Sequence, residues 1–244
     1  GEYIAGYLML AKNLLKKHSK DLMKVSSLQS STSLLPCSQR SLYTKPFFYD
    51  QLQLTDERRE LREQAEKFCQ EEIAPLDDQM DRENTFPIHL YKRMGELGYH
   101  GMTVEKEYGG RGLKYYDHCI VAEEVAKASA SVGMSYVTHS NLCVNQIRLN
   151  GTEEQKKKYL PDLLAGNKVG ALVMSEKEAG SDVVSMKLNI EEKGDRFVFN
   201  GGKYFATNGP IASTFIIYGK TDPEKGPKGM SAFIVEKGTK GFTQ

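Results

Sequence analysis

The sequence has no cysteine pattern that would carry chemistry. Its four cysteines, Cys37, Cys69, Cys119 and Cys143, show no CxxC or CxxH spacing. That argues against a metal or redox motif and leaves small, unpaired thiols, as a reducing compartment would keep them. Long apolar runs are missing too. None approaches the ~20 residues a membrane span needs, so no membrane span is expected. Nor does one sign of charge dominate, since the net charge is +1. That balance hides an asymmetry. Residues 1–46 hold seven lysines and arginines against Glu2 and Asp21, a net +5 that leaves −4 for the remainder. Nothing after residue 46 offers a basic surface, and no nucleic-acid partner is expected. A GxGxxG phosphate fingerprint is also lacking. Tyr108-Gly109-Gly110-Arg111-Gly112 follows no strand pattern and reads as a connector. With 244 residues, the chain has room for one or two domains.

What is present divides by position. In residues 1–46, Tyr3 to Leu15 is apolar at helical spacing and Lys16-Lys17 follow. From Met23 the text is basic, Ser-rich and nearly acid-free up to Arg40-Ser41-Leu42-Tyr43, as organelle transit peptides are. Met23 is the expected native start, with cleavage between Arg40 and Tyr43. The other reading is a disordered basic tail.

Helical patterns follow. Thr55 to Ile73 has an N-cap residue, acids in the first turn and an apolar stripe of Leu54, Leu61, Ala65 and Phe68, with Pro75 expected to stop it. Pro87 opens a second helix that Gly98 ends. Tyr115–Ala130 and Val132–Leu149 read as two more, the first burying Ile120, Val121, Val125 and Ala128. His139, Asn141, Asn145 and Gln146 lie on the second. They are either ligands or buried groups satisfied by backbone, and a lone histidine makes no metal site. Thr152-Glu153-Glu154-Gln155 is a capping box that starts a helix to Leu164, with Pro161 inside it and Lys156-Lys157-Lys158 on a solvated face.

From Val169 the period changes to strands, expected at 169–174, 184–191, 196–200, 203–207, 214–219 and 231–236. Lys193-Gly194-Asp195 and Asn200-Gly201 read as tight turns. Helices first and strands second give an α+β class: an N-terminal all-α helical domain over 47–166, then an incomplete antiparallel β-barrel-like domain over 167–244.

Two stretches in the strand half invite a ligand. Leu172-Val173-Met174-Ser175-Glu176-Lys177-Glu178-Ala179-Gly180-Ser181-Asp182 runs from a strand into small and hydroxylic residues. Gly180 allows close backbone approach, Ser175 and Ser181 each bring a hydroxyl, and Asp182 suits a turn. Lys203-Tyr204-Phe205-Ala206-Thr207-Asn208-Gly209 is a short aromatic segment ending in Thr-Asn-Gly. Both are expected in one antiparallel sheet, with Ser175 and Thr207 facing one cleft.

These two stretches, M-S-E-x-x-A-G-S-D and Y-F-A-T-N-G, resemble the flavin-binding signature of the acyl-CoA dehydrogenases. The resemblance runs from about Leu54 to the end. The run from Ser135 to Gln146, with Gln155–Pro161 and Ala232–Gly238, points to the branch that acts on isovaleryl-CoA. The resemblance implies FAD as cofactor and oxidation of an acyl-CoA to the 2,3-enoyl-CoA. A glutamate removes the α-proton, and hydrogen bonds polarise the thioester carbonyl. It also implies electron-transferring flavoprotein as partner, a homotetramer and a place in the mitochondrial matrix, where leucine is broken down. Residue by residue, Leu172, Val173, Met174 and Ser175 match the strand end along the isoalloxazine. Ala179, Gly180 and Ser181 match the loop near the flavin and its phosphates. Phe205, Ala206 and Thr207 match the second flavin-facing segment, with Thr207 at the ring edge. Ser181 also matches a CoA contact, as does Lys228 loosely. The helix from Val132 to Leu149 matches one beside the acyl pocket.

Three features depart from the family. Lys177-Glu178 replaces Pro-Asn or Pro-Gly. Phe205 stands where the family has Trp. The chain ends at Gln244, partway through the β domain, so the catalytic glutamate and the C-terminal helical bundle are expected beyond it and no catalytic residue is assigned. The polypeptide as written is accordingly expected to be inactive alone. The rival readings are another short- or branched-chain acyl-CoA dehydrogenase, or a non-catalytic fragment that binds related subunits or flavin weakly.

Overall fold

Proline does not end the first helix. In the computed structural model, which describes residues 54–244, α1 (Asp56–Phe68) runs into a π-helical turn, Cys69–Ile73, and on into α2 (Ala74–Glu83). The expected stop at Pro75 is therefore corrected. The wider turn bonds the Ala74 N–H to the Cys69 carbonyl, and Pro75 then sits in the first turn of α2, where a missing N–H costs nothing. Asn84, left-handed with φ 51°, ends the rod. Thr55 occupies the N-cap position, but its side chain makes no capping bond. Residues 1–46, with the targeting reading, lie outside the described residues.

α3 (His89–Glu96) follows Pro87 and ends near Gly98, whose φ of 72° favours glycine. The glycine loop at 109–112 packs tightly. A Cβ at Gly110 would lie 2.1 Å from the Val104 carbonyl oxygen, which accounts for that residue without a phosphate. α4 (Tyr115–Ala128) and α5 (Ala130–Val137) are separated by Ser129, which is extended and accepts the Val132 N–H on its hydroxyl. α5 continues through a second π-helical stretch, Thr138–Val144, into α6 (Asn145–Asn150). α7 (Glu153–Leu164) opens with the capping box read from the sequence: Gln155 N donates to the Thr152 hydroxyl at 3.2 Å, and Thr152 N to Gln155 Oε1 at 2.9 Å.

The strands are β1 (Gly170–Val173), β2 (Asn189–Lys193), β3 (Arg196–Asn200), β4 (Thr214–Lys220) and β5 (Met230–Glu236). β2 and β3 form a hairpin closed by Gly194-Asp195, with Gly194 at φ 65°. β4 is the organising strand. It pairs parallel with β1, antiparallel with β5 along its whole length, and with β2 only at Asn189 and Lys220. Thr214 to Ile217 are all buried, as suits a strand covered on both faces. The sheet is mixed and open, not closed into a barrel.

Two strand expectations fail. Residues 184–188 are no strand. Val183–Ser185 is a 3-10 turn, and β2 starts only at Asn189. Lys203–Thr207 is no strand either, because Phe205 has φ 56° and breaks the two-residue alternation a ladder needs. The Ser175 and Thr207 segments are thus not paired strands of one antiparallel sheet.

Apolar packing joins both halves. One cluster gathers side chains of all five helices α1 to α5, among them Leu61, Met80, Leu90, Val121 and Val132. A second gathers Cys143, Val144 and Leu163 with Ile216 of β4. A third surrounds Tyr91 of α3 with Val169, Val173, Phe215 and Ile217.

Candidate functional site

β1 is held from behind by a histidine. His139 is fully buried; its Nε2 donates to the Leu163 carbonyl at 3.0 Å, and its Nδ1 accepts the Gly170 N–H at 2.9 Å. Those two bonds require the neutral ring, and burial lowers its pKa to about 4. The satisfied-core reading of His139 therefore holds. Among the described residues, no group of three candidate ligands could hold a metal. Gly170 must be glycine, since a Cβ there would meet Cys143 Sγ at 2.5 Å.

From that anchor β1 carries Leu172 and Val173 to Met174 and Ser175. Val173 is buried in the third cluster and half-buried Leu172 packs on the second, so their backbone offers a ligand more than their side chains do. Glu176 and Ala179 then bond each other reciprocally, N to O at 2.9 and 3.2 Å, and bury Ala179. Gly180 and Ser181 project as exposed residues. A Cβ at Gly180 would touch nothing within 4 Å, so no protein group demands its lack of a side chain. The Asp182 carboxylate accepts the Ser185 hydroxyl and so closes the turn it was expected to suit.

The second segment runs back beside β1 in the opposite direction. Tyr204 N donates to the Ser175 carbonyl at 2.9 Å, and the Asn208 amide reaches the Gly170 carbonyl at 3.1 Å. Between those two ties, Phe205 is 93% exposed and Ala206 and Thr207 are half-buried. Neither the Ser175 nor the Thr207 hydroxyl has a hydrogen-bond partner among the described residues. Lys228 is exposed in the β4–β5 connection. Because β1 and β4 are parallel, that connection leaves the sheet at the same end as Ser175.

Sequence reading passed over the pair that locks these segments together. Lys203 Nζ donates to Glu176 Oε1 and to the Met174 carbonyl, both at 2.8 Å. Glu176 also accepts Lys187 N at 2.6 Å and Leu188 N at 2.9 Å. Burial alone would raise the Glu176 pKa, but Lys203 and the two backbone donors outweigh it and the net shift is downward. The signal was present: one acid ends the β1 apolar run and one base opens the aromatic segment.

The chain as a whole is similar to known proteins. The family model "Acyl-CoA dehydrogenase, N-terminal domain" matches residues 55–167, and "Acyl-CoA dehydrogenase, middle domain" matches residues 171–244. The chain belongs to the acyl-CoA dehydrogenase family. It is 50% identical over 190 residues to the mitochondrial isovaleryl-CoA dehydrogenase of Arabidopsis thaliana, covering 77% of this chain and 46% of that protein. It is 46% identical over 223 residues to the mitochondrial 2-methylacyl-CoA dehydrogenase of Solanum tuberosum, covering 90% of this chain and 54% of that protein. A glutaryl-CoA dehydrogenase from Mycobacterium smegmatis, solved in complex with FADH2, superposes with a TM-score of 0.74 at 27% identity, over 80% of this chain and 48% of that one. The chain thus spans about half the length of these relatives.

Proposed function

We propose that this protein serves as a FAD-dependent acyl-CoA dehydrogenase whose substrate is isovaleryl-CoA. The observation that carries the reading is the pair of hydroxyls, Ser175 and Thr207, that have no partner among the described residues and sit on segments held side by side by the Tyr204–Ser175 backbone bond and the Lys203–Glu176 ion pair. Their donor set fits a flat ring with a polar edge. Each hydroxyl can donate and accept, and the exposed Phe205 ring beside them is apolar surface for a ligand to cover. When bound, FAD supplies the ring that accepts a hydride from the acyl chain.

The chain's own residues bind and orient. Ser175 and Thr207 would hold the polar edge of the ring, and the backbone of Leu172, Val173 and Met174, with Phe205 and Ala206, would bind its faces. The loop of Ala179, Gly180 and Ser181 would hold the phosphates, and Ser181 and Lys228 would bind the CoA moiety. A basic segment over 1–46, a helical domain over 47–166 and a β domain over 167–244 belong to the same reading. So do a homotetramer, electron-transferring flavoprotein as acceptor, and a mitochondrial location, the matrix. The mitochondrial names of two relatives support the mitochondrial location, though not the matrix itself.

The test is titration of the chain with FAD, followed by flavin fluorescence, then addition of isovaleryl-CoA, 2-methylbutyryl-CoA or butyryl-CoA to the complex. Saturable FAD binding is expected, with isovaleryl-CoA perturbing the flavin spectrum at the lowest concentration. Absence of saturable binding would sink the flavin reading. Preference for 2-methylbutyryl-CoA would favour the second reading, a 2-methylacyl-CoA dehydrogenase, which the match covering 90% of the chain supports.

A further inference from the structure

We propose that Asn208 is a positioning residue, whose buried carboxamide sets the two candidate flavin-facing segments against each other and against helix α5. The inference rests on the flavin reading of the site. Asn208 is only 8% exposed and its side chain is spent entirely on protein. Nδ2 donates to the Ser135 carbonyl at 3.0 Å and to the Gly170 carbonyl at 3.1 Å. Carbonyls only accept, so the nitrogen must lie on that side. The oxygen then takes the Ser135 hydroxyl proton. With that proton committed, Tyr91 OH must donate to Ser135 Oγ, 2.7 Å away. A single chain of bonds thus runs from α3 through α5 to Asn208 and on to the first residue of β1.

The placement gives that chain its consequence. Thr207 is the residue just before Asn208, and Ser175 lies at the far end of the stretch that Gly170 begins. Asn208 adopts φ 67°, a left-handed conformation that asparagine tolerates better than most residues. Its own carbonyl accepts Ile211 N at 3.0 Å and Ala212 N at 2.8 Å, which sets the direction in which the chain leaves Thr207. Asn208 therefore fixes the Thr207 end of the second segment against the start of β1, while Lys203 and Tyr204 tie the Ser175 end. Asn208 orients the binding groups without touching the ligand.

The experiment compares the full chain with Asn208→Ala, Asn208→Asp and Gly133→Ala. The last crowds Ala126 in α4, where the added Cβ would lie 2.8 Å away, and contacts neither segment. Hydrogen exchange of the cofactor-free proteins is read by peptide, alongside thermal stability and FAD affinity. Asn208→Ala is expected to speed exchange in the 170–176 and 203–209 peptides together. It is also expected to weaken FAD binding about tenfold, the equivalent of one lost hydrogen bond. Asn208→Asp should behave alike, because a carboxylate cannot donate to two carbonyls. Gly133→Ala should lose thermal stability and keep its FAD affinity. Unchanged exchange in either peptide overturns the proposal. So does Gly133→Ala weakening FAD as much as Asn208→Ala at a like loss of stability. If the unmodified chain itself fails to bind FAD, the flavin reading falls, and the exchange data alone decide the tie. Should Asn208→Ala not fold, Ser135→Ala is expected to loosen the same two peptides less, and no loosening counts against the proposal.

Discussion

The ammonium of Lys203 lies 2.8 Å from the carboxylate of Glu176, and less than a tenth of either side chain is exposed. That pair closes the loop after β1 onto the segment that carries Thr207. Replacing Lys203 with Met leaves a buried carboxylate whose counter-charge is gone. A cost of about 3 kcal/mol is expected, because an unpaired buried charge is penalised far more than a surface one. Urea unfolding measures it. A change below about 0.5 kcal/mol, the range of ordinary surface substitutions, would show the pair to be incidental.

Among the described residues, the hydroxyls of Ser175 and Thr207 bond to no protein group. Ser175→Ala combined with Thr207→Ala should keep stability within about 0.5 kcal/mol of the parent. The same double variant should bind FAD about a hundredfold more weakly, at roughly one net hydrogen bond and tenfold lost per site. Unaltered FAD affinity in a calorimetric titration would remove both residues from the site.

Gly170 is pressed against the second π-helical stretch. In Gly170→Ala the new methyl would sit 2.5 Å from Cys143 Sγ and 2.8 Å from its Cβ. Overpacking of this kind costs about 2 kcal/mol. Adding Cys143→Ala removes the nearer of the two atoms and should recover part of the loss. Thermal melts of the single and double variants decide, and independent, additive losses would show that the two residues do not press on each other.

Buried neutral histidines make stability fall in mild acid. Burial lowers the pKa of His118 and of His139 to about 4, from an ordinary 6.5. In this window the unfolded chain takes up protons that the native state refuses, so stability is complete above pH 6.5 and declines as the pH drops toward 4. The slope is about 1.4 kcal/mol per pH unit for each histidine. Melting temperatures from pH 7 to 4 check this. His139→Gln should flatten the profile, since glutamine does not titrate, and a profile as steep as the parent's would assign the effect elsewhere.

Short-range signals were legible in the sequence. The Thr152–Gln155 box, the Gly194 turn and the passage from helical to two-residue periodicity each depend on residues a few positions apart, and each folds as read. The resemblance carried by the Met174–Asp182 and Tyr204–Gly209 stretches led to the family. Tertiary structure decided the rest. Pro75 does not stop its helix, because a π turn supplied by packing of Cys69 and Ile73 absorbs the break. Lys203–Thr207 is no strand, because its outer ends are tied to Ser175 and Gly170 while Phe205 turns left-handed between them. The bonds that build the site join Lys203 to Glu176 across 27 positions and Asn208 to Ser135 across 73. Local propensity carries no information at that range. Such pairs form only once apolar packing has brought β1, α5 and the Thr207 segment together, and burial then makes each unmet polar group too costly to leave unpaired.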